Sequence, residues 1–271
     1  MYKIFDAHTH VYPEKIAAKA VANLGAFYNY DVERNGTFDD LCKSSRERGV
    51  AGFLLLTVAT NAHQVPKIND YAALCLKSAA ERGFSSAAFG GIHQDMSDSE
   101  KEAELCRCIE MGITGMKIHP DIQEIDIDDR SMYPFYEMLS QKNLPITFHM
   151  GDCRAQYTYS MPEKLIRVMN DFPHLRVIAA HFGGFSVWDD AVLLFAGREN
   201  LKFDSSSSLN YMSAEKAENI IGKLGAENIM FGTDYPSLGI EGELKRFLSL
   251  SLTEKERENI LWNNAAEFLG L

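Results

Sequence analysis

Short apolar runs recur along the chain, and each is followed by a stretch with helical spacing. Eight of them read as strands: Lys3–His8, Val50–Val58, Ser85–Ile92, Gly115–His119, Pro145–Met150, Arg176–His181, Leu201–Asp204 and Asn228–Gly232. Their middles are almost continuously apolar, as in Phe53-Leu-Leu-Leu56 and Val177-Ile-Ala-Ala180. Strands buried on both faces read this way, and parallel sheets are built from them. Start and stop signals frame the intervening helices. Thr37 precedes Phe38-Asp39-Asp40 as an N-cap with acid in the first turn, and Gly49 follows the same helix as its stop. Pro162 opens a later helix, as do Ser213-Ala214-Glu215 and Thr253-Glu254.

Eight strand–helix alternations in a chain of this length match a (β/α)8 barrel. An open doubly wound sheet is the other architecture with this rhythm, but no Gly-rich phosphate fingerprint follows the first strand. No Pro-rich or low-complexity linker divides the chain, so the expectation is one domain over residues 1–271. The first βα segment, residues 11–36, is long and carries Tyr12, Phe27, Tyr28 and Tyr30. In a barrel such loops lie at the C-terminal mouth, where this one either walls the site or forms an ordinary helical insertion.

Composition narrows the function classes. The 271 residues are 46% hydrophobic, ample for a sizeable core, and carry a net charge of −11. An acidic balance argues against general nucleic-acid binding and against attraction to anionic membrane, and leaves a small molecule as the expected partner. No apolar run approaches the ~20 residues that span a bilayer, and the N-terminus enters a strand without a signal segment. Five cysteines, an odd number, read as reduced thiols of a cytoplasmic protein. Cys153 stands apart because it closely follows His149.

The chemistry-bearing residues close the apolar runs. His8 and His10 end the first, His149 the fifth and His181 the sixth, and Asp234 follows the eighth. Imidazoles at i and i+2 of an extended segment face one way. A lone histidine is more often structural, but these positions converge on one mouth in a barrel. Neutral imidazole and carboxylate are good ligands for Zn²⁺ and similar divalent ions.

The motifs Asp6-Ala-His-Thr-His10, Gly115-Met-Lys-Ile-His-Pro120, Thr147-Phe-His-Met-Gly151, Phe172-Pro-His-Leu-Arg-Val-Ile-Ala-Ala-His-Phe-Gly-Gly184 and Phe231-Gly-Thr-Asp-Tyr-Pro236 stand in order along nearly the whole chain. In them the chain resembles the amidohydrolase superfamily, in the amidohydrolase-related branch that includes aminocarboxymuconate-semialdehyde decarboxylase-like enzymes. The resemblance implies a distorted (β/α)8 TIM barrel with one divalent metal, Zn²⁺ first and Mn²⁺ or another first-row ion as alternatives. It implies His8, His10, His149 and Asp234 as metal ligands. His181 would be a base or polarising group, or a ligand of a second metal, and Asp234 would also take a proton from a metal-bound water. In binuclear relatives a carbamylated lysine stands where Lys117 does. A plain Lys117 is otherwise a contact for an anionic substrate or a member of a structural ion pair. Family habit implies a homo-oligomer, a dimer.

His119 follows Lys117 by two and faces the same way, as a substrate contact, a ligand or support for one. His93 is a weaker lining candidate, and His63 and His174 lie on loops. Arg154, with Asp152 and Tyr157, is placed to wall the pocket, and its planar fork suits a substrate carboxylate. The four hydroxyls Ser205–Ser208 either bond substrate or satisfy loop backbone. No Gly-x-Ser-x-Gly elbow supports a serine hydrolase. The expected reaction is metal-dependent hydrolysis of an ester, lactone or amide. Non-oxidative decarboxylation of a small carboxylic acid is the alternative, and a catalytically inert metal-binding barrel is a third reading.

Overall fold

The computed structural model describes residues 2–271. Eight strands form one parallel sheet in sequence order: β1 Ile4–Thr9, β2 Val50–Leu56, β3 Ala87–Gly91, β4 Gly115–Ile118, β5 Ile146–Phe148, β6 Val177–Ala179, β7 Leu201–Asp204 and β8 Ile229–Met230. The ring closes between β8 and β1. Ala7 N donates to Phe231 O at 2.7 Å, Asp234 N to His8 O at 2.9 Å and His10 N to Tyr235 O at 2.7 Å. The result is a single-domain TIM barrel.

Helices α1 Glu14–Tyr28, α2 Phe38–Glu47, α3 Val65–Glu81, α4 Asp98–Glu110, α5 Pro120–Gln123, α6 Tyr133–Gln141, α7 Pro162–Asp171 and α8 Trp188–Phe195 follow the first six strands. Helices α9 Ala214–Leu224, α10 Ile240–Leu248, α11 Glu254–Glu258 and α12 Asn264–Leu269 complete the ring, with a π-helical stretch at Asn259–Asn263 joining the last two. The caps read in the sequence hold in space. Thr37 Oγ1 accepts from Asp40 N at 3.2 Å, and Thr253 and Glu256 form a reciprocal capping box.

Alternation along the strands sorts the side chains. Met116, Ile118, Ile146 and Phe148 pack with Phe135 and Leu139 of α6 in the outer core. Leu54, Leu56, Ala87, Phe89 and Ile178 face inward, where Trp262 and Ala265 of the C-terminal helices close the barrel's floor. On β4 and β5, Lys117 and Thr147 occupy the inward positions and pair in register.

Most strands stop short of the apolar runs. β5 ends at Phe148 and β6 at Ala179, so His149 and His181 lie just beyond their strands. The cause is local backbone. His181 and Phe182 take φ of 59° and 54°, which ladder pairing does not accommodate, and Asp234 beyond β8 takes φ of 67°. Gly151, at φ 74°, turns β5 away from the mouth, where an added Cβ would lie 2.6 Å from the backbone of Phe185.

Candidate metal centre

His8 and His10 bring their Nε2 atoms to 3.1 Å. Asp234 Oδ1 lies 3.6 Å from the first and 3.5 Å from the second. The partners on the far side of each ring set its tautomer. His8 Nδ1 meets the carboxylate of Asp204 at 2.9 Å and must donate to it. His10 Nδ1 meets the carbonyl of Leu56 at 2.9 Å and must donate there. Burial pushes His8 down to about 4, so its ring is neutral near pH 7. The His8 lone pair, and that of the His10 ring in its neutral form, therefore converge on a carboxylate oxygen. Such a set repels itself unless a cation sits between its members, and its donor types suit a divalent first-row ion.

The same reasoning runs through the histidines on the other side. His181 Nδ1 faces the carbonyl of Ser206 at 2.9 Å and donates to it. Its Nε2 is then a lone pair, and His149 Nδ1, 3.0 Å away, must donate to it. His149 Nε2 is left as a free lone pair, buried and without a partner among the described residues. His149 is not in the close trio of His8, His10 and Asp234, but lies against His181 and stacks on His119 at 3.8 Å. His119 accepts from Ile122 N at Nδ1 and turns Nε2 to the Tyr28 hydroxyl at 2.7 Å.

Asp204, at the end of β7, ties the two groups together. The sequence marks it only as a strand end. Its oxygens accept from His8 Nδ1, from the backbone N–H of His181 and Ser206 at 3.1 Å each, and from Ser206 Oγ. Burial alone would raise this carboxyl, but the His8 ring against it, then His181 and Ser206, hold it well below the usual carboxylate range. A buried anion that fixes the tautomer of a ligating histidine is a recurrent support of metal sites. The signal was present in the sequence, because Asp204 closes the seventh apolar run as His149 and His181 close theirs. Gly232 leaves room for this packing: a Cβ there would meet Cβ of both His8 and Ser206 at 3.1 Å.

The serine run is internally satisfied. Ser207 Oγ donates to Asp234 Oδ2 at 2.7 Å, Ser208 Oγ to Ser206 O at 3.0 Å, and Ser205 Oγ accepts from Gly232 N at 3.2 Å. Asp234 is likewise ionised. Burial would raise it, but the His10, His8 and His181 rings beside it hold it well below the usual range.

Other candidates sit elsewhere. Arg154 engages Asp152 with two parallel bonds of 2.9 and 2.6 Å, and also donates to Phe27 O. It lies 3.9 Å from the ring centre of Tyr157, which in turn packs on Phe27. Arg154 and Tyr157 thus clamp the end of α1 to the loop after β5, and the fork is taken up by Asp152. His93 accepts from Asp95 N at 3.3 Å, while His63 and His174 are exposed. All five cysteines are free thiols, with Cys153 exposed. Lys117 is fully buried, and its Nζ has no hydrogen-bond partner among the described residues. Burial lowers it to about 8. No described helix is long and apolar enough to cross a membrane.

Comparison with known proteins places this geometry. A TIM-barrel protein of Bordetella bronchiseptica superposes with a TM-score of 0.81 at 20% identity, covering 99% of this chain and 98% of that one. A dihydroxybenzoic acid decarboxylase of a Polaromonas species, bound to manganese and 2-nitroresorcinol, superposes with a TM-score of 0.72 at 16% identity over 100% and 98% of the two chains. Among curated sequences, 2-amino-3-carboxymuconate-6-semialdehyde decarboxylase of Dictyostelium discoideum is 26% identical over 75% of this chain and 66% of its own length. The chain spans about two thirds or less of the length of the curated relatives it matches. The family model described as Amidohydrolase matches residues 5–271, and the chain belongs to that family.

Proposed function

We propose that this chain is a metal-dependent, non-oxidative decarboxylase of a small carboxylic acid. The observation that carries the reading is the convergence of ligand atoms from His8, His10 and Asp234, with the free Nε2 of His149 on the ring that borders His181, in a family that includes the Dictyostelium relative named as a decarboxylase. Hydrolysis, the first expectation from the sequence, draws on the same donors, and the relatives favour its alternative.

His8, His10, His149 and Asp234 would hold the ion. Manganese, as in the Polaromonas neighbour, and zinc both suit three imidazoles and a carboxylate. Bound there, a divalent ion supplies a Lewis acid that orients and polarises the substrate's oxygens. The chain's own residues manage the proton. His149 and His181 hold one proton between them at 3.0 Å inside the barrel. As the carbon–carbon bond to the carboxylate breaks, its electron pair stays on the substrate carbon. That carbon takes a proton relayed from solvent through His181 Nε2, so the histidine pair ends as it began, and the carboxylate leaves as CO₂. Asp204 and the Ser206 carbonyl keep His8 and His181 in the tautomers this requires.

The test uses the full chain, stripped of metal and reloaded with manganese or zinc, on dihydroxybenzoates and carboxyvanillate in D₂O. Metal-dependent CO₂ release, with one deuterium at the vacated carbon, is the expected result. A product that keeps its carboxylate and gains oxygen from water would overturn the reading in favour of hydrolysis.

A further inference from the structure

Helix α1 is held unlike the helices beside it. Along its whole length it buries only Ala17, and Pro13 before it supplies no side-chain cap. Helix α2, though shorter, buries Phe38, Leu41 and Cys42, and α3 buries Val65, Ala72 and Cys75. An element with so little buried surface opens at low free-energy cost.

What fixes α1 is its C-terminal tip. The Arg154 guanidinium donates to Phe27 O and lies 4.5 and 5.0 Å from the ring centres of Phe27 and Tyr28. That guanidinium is anchored on Asp152, in the loop that carries His149. Tyr28 reaches His119 Nε2, and its ring centre lies 6.2 Å from that of His149. Tyr30 donates to Ser237 Oγ at 2.6 Å. The chain is tethered on both flanks of the helix. Before it, Tyr12 N donates to Gly36 O at 2.8 Å, and after it Glu33 N and Arg34 N donate to Ser237 O and Pro236 O at 3.2 and 3.1 Å. Pro13 on one side and Asp31-Val32 on the other lie in no helix or strand, and they are the joints about which α1 turns.

Beneath the tip the proposed metal ligands are nearly closed off. His8 and His149 are 1% and 7% exposed, and the side chains of His10 and Asp234 only 13% and 16%. A substrate needs more room than this, and α1, with one buried residue, is the cover that yields. We infer that α1 is a lid over the metal centre, hinged at Pro13 and Asp31-Val32 and latched by Arg154, which opens to admit ion and substrate. Arg154 is then a positioning residue, which holds the lid rather than the substrate. The lid rests on the proposed location of the site beneath Tyr28, and not on the reaction carried out there.

Amide hydrogen exchange of the full chain, read by mass spectrometry, tests the lid without any ligand. The α1 amides should exchange together, about ten- to a hundredfold faster than those of α3. Arg154→Ala should speed α1 by about a further ten- to hundredfold, the worth of a hydrogen bond from a charged group, and leave α3 unchanged. Tyr30→Phe, which keeps the ring and loses the bond to Ser237, should speed α1 about two- to tenfold, and it carries the test if the alanine variant does not fold. Equal rates in α1 and α3 would overturn the lid, as would variants that speed both helices alike. Manganese alone then probes the gate. Its uptake, and its release to a chelator, should both quicken in Arg154→Ala by the factor seen in α1, leaving affinity within about twofold. Unchanged manganese rates beside a loosened α1 would make it a mobile helix and no gate, which also overturns the proposal. If exchange follows the expected pattern but no manganese binds, the metal reading fails and the lid stands.

Discussion

The two sides of the barrel mouth differ in how completely their polar atoms are paired. On the β7–β8–β1 side, Asp204 accepts from four donors, Ser206 and Ser207 are both engaged, and His8 and His10 each have one nitrogen pinned to an acceptor. The remaining nitrogens of His8 and His10 are aimed at a common point with Asp234. On the β4–β5 side, Lys117, Thr147 and His149 each leave an atom without a partner among the described residues. The first side is a finished frame around an ion position. The second is unfinished, and the difference separates what the chain builds by itself from what it leaves for a ligand.

The largest expected effect comes from breaking the finished side at its centre. His8→Ala should retain the fold, lose stoichiometric metal and lower CO₂ release by more than the 10–100-fold typical of residues that merely support a ligand. Metal analysis and circular dichroism on the same sample check this, and unaltered metal content would sink the ligand assignment. Next comes Asp204→Asn, which keeps the shape but turns one acceptor into a donor facing donors. Metal affinity should fall by about 10–100-fold, read by chelator competition rather than by rate. An unchanged affinity would reduce Asp204 to a packing role.

A third prediction sharpens the comparison from outside the mouth. Glu243 of α10 is fully buried, its Oε2 has no partner among the described residues, and burial raises it to about 8 despite Arg246. The unfolded side chain titrates near the ordinary 4.5. A raised folded value means that the stabilising contribution is complete below about 4.5 and is lost as pH rises towards 8. Glu243→Gln should flatten that decline and gain on the order of a few kcal/mol at pH 8, measured by urea unfolding at pH 5 and pH 8. Its activity should not change, since Glu243 pairs with Arg246 and not with any of the proposed metal ligands. The smallest effect is Tyr28→Phe. Loss of the hydroxyl on His119 should cost about 0.5–1.5 kcal/mol, seen as a few-fold rise in KM with little change in kcat.

Much of the barrel was legible because parallel strands buried on both faces leave continuous apolar runs, and because caps such as Thr37 and Thr253 are local signals. His8, His10, His149, His181 and Asp234 stood out by position, each at or just after the end of a run. What was not legible depends on distant partners. Arg154 suited a carboxylate in the sequence, and it does hold one, but that of Asp152, over the backbone of Phe27 from α1. Asp204 gave no sign that its oxygens would meet both His8 and His181. Some strand ends lie short of the apolar runs because left-handed backbone at His181 and Gly151 turns the chain before hydrophobicity ends.

Those left-handed residues also dictate how substitutions at the mouth should be designed. Asparagine and aspartate tolerate positive φ far better than alanine does. At position 234, Asp234→Asn therefore isolates the lost charge, whereas Asp234→Ala adds backbone strain to it. A deficit found with alanine at this position would mix two causes, and the asparagine variant is the one whose phenotype reports on chemistry alone.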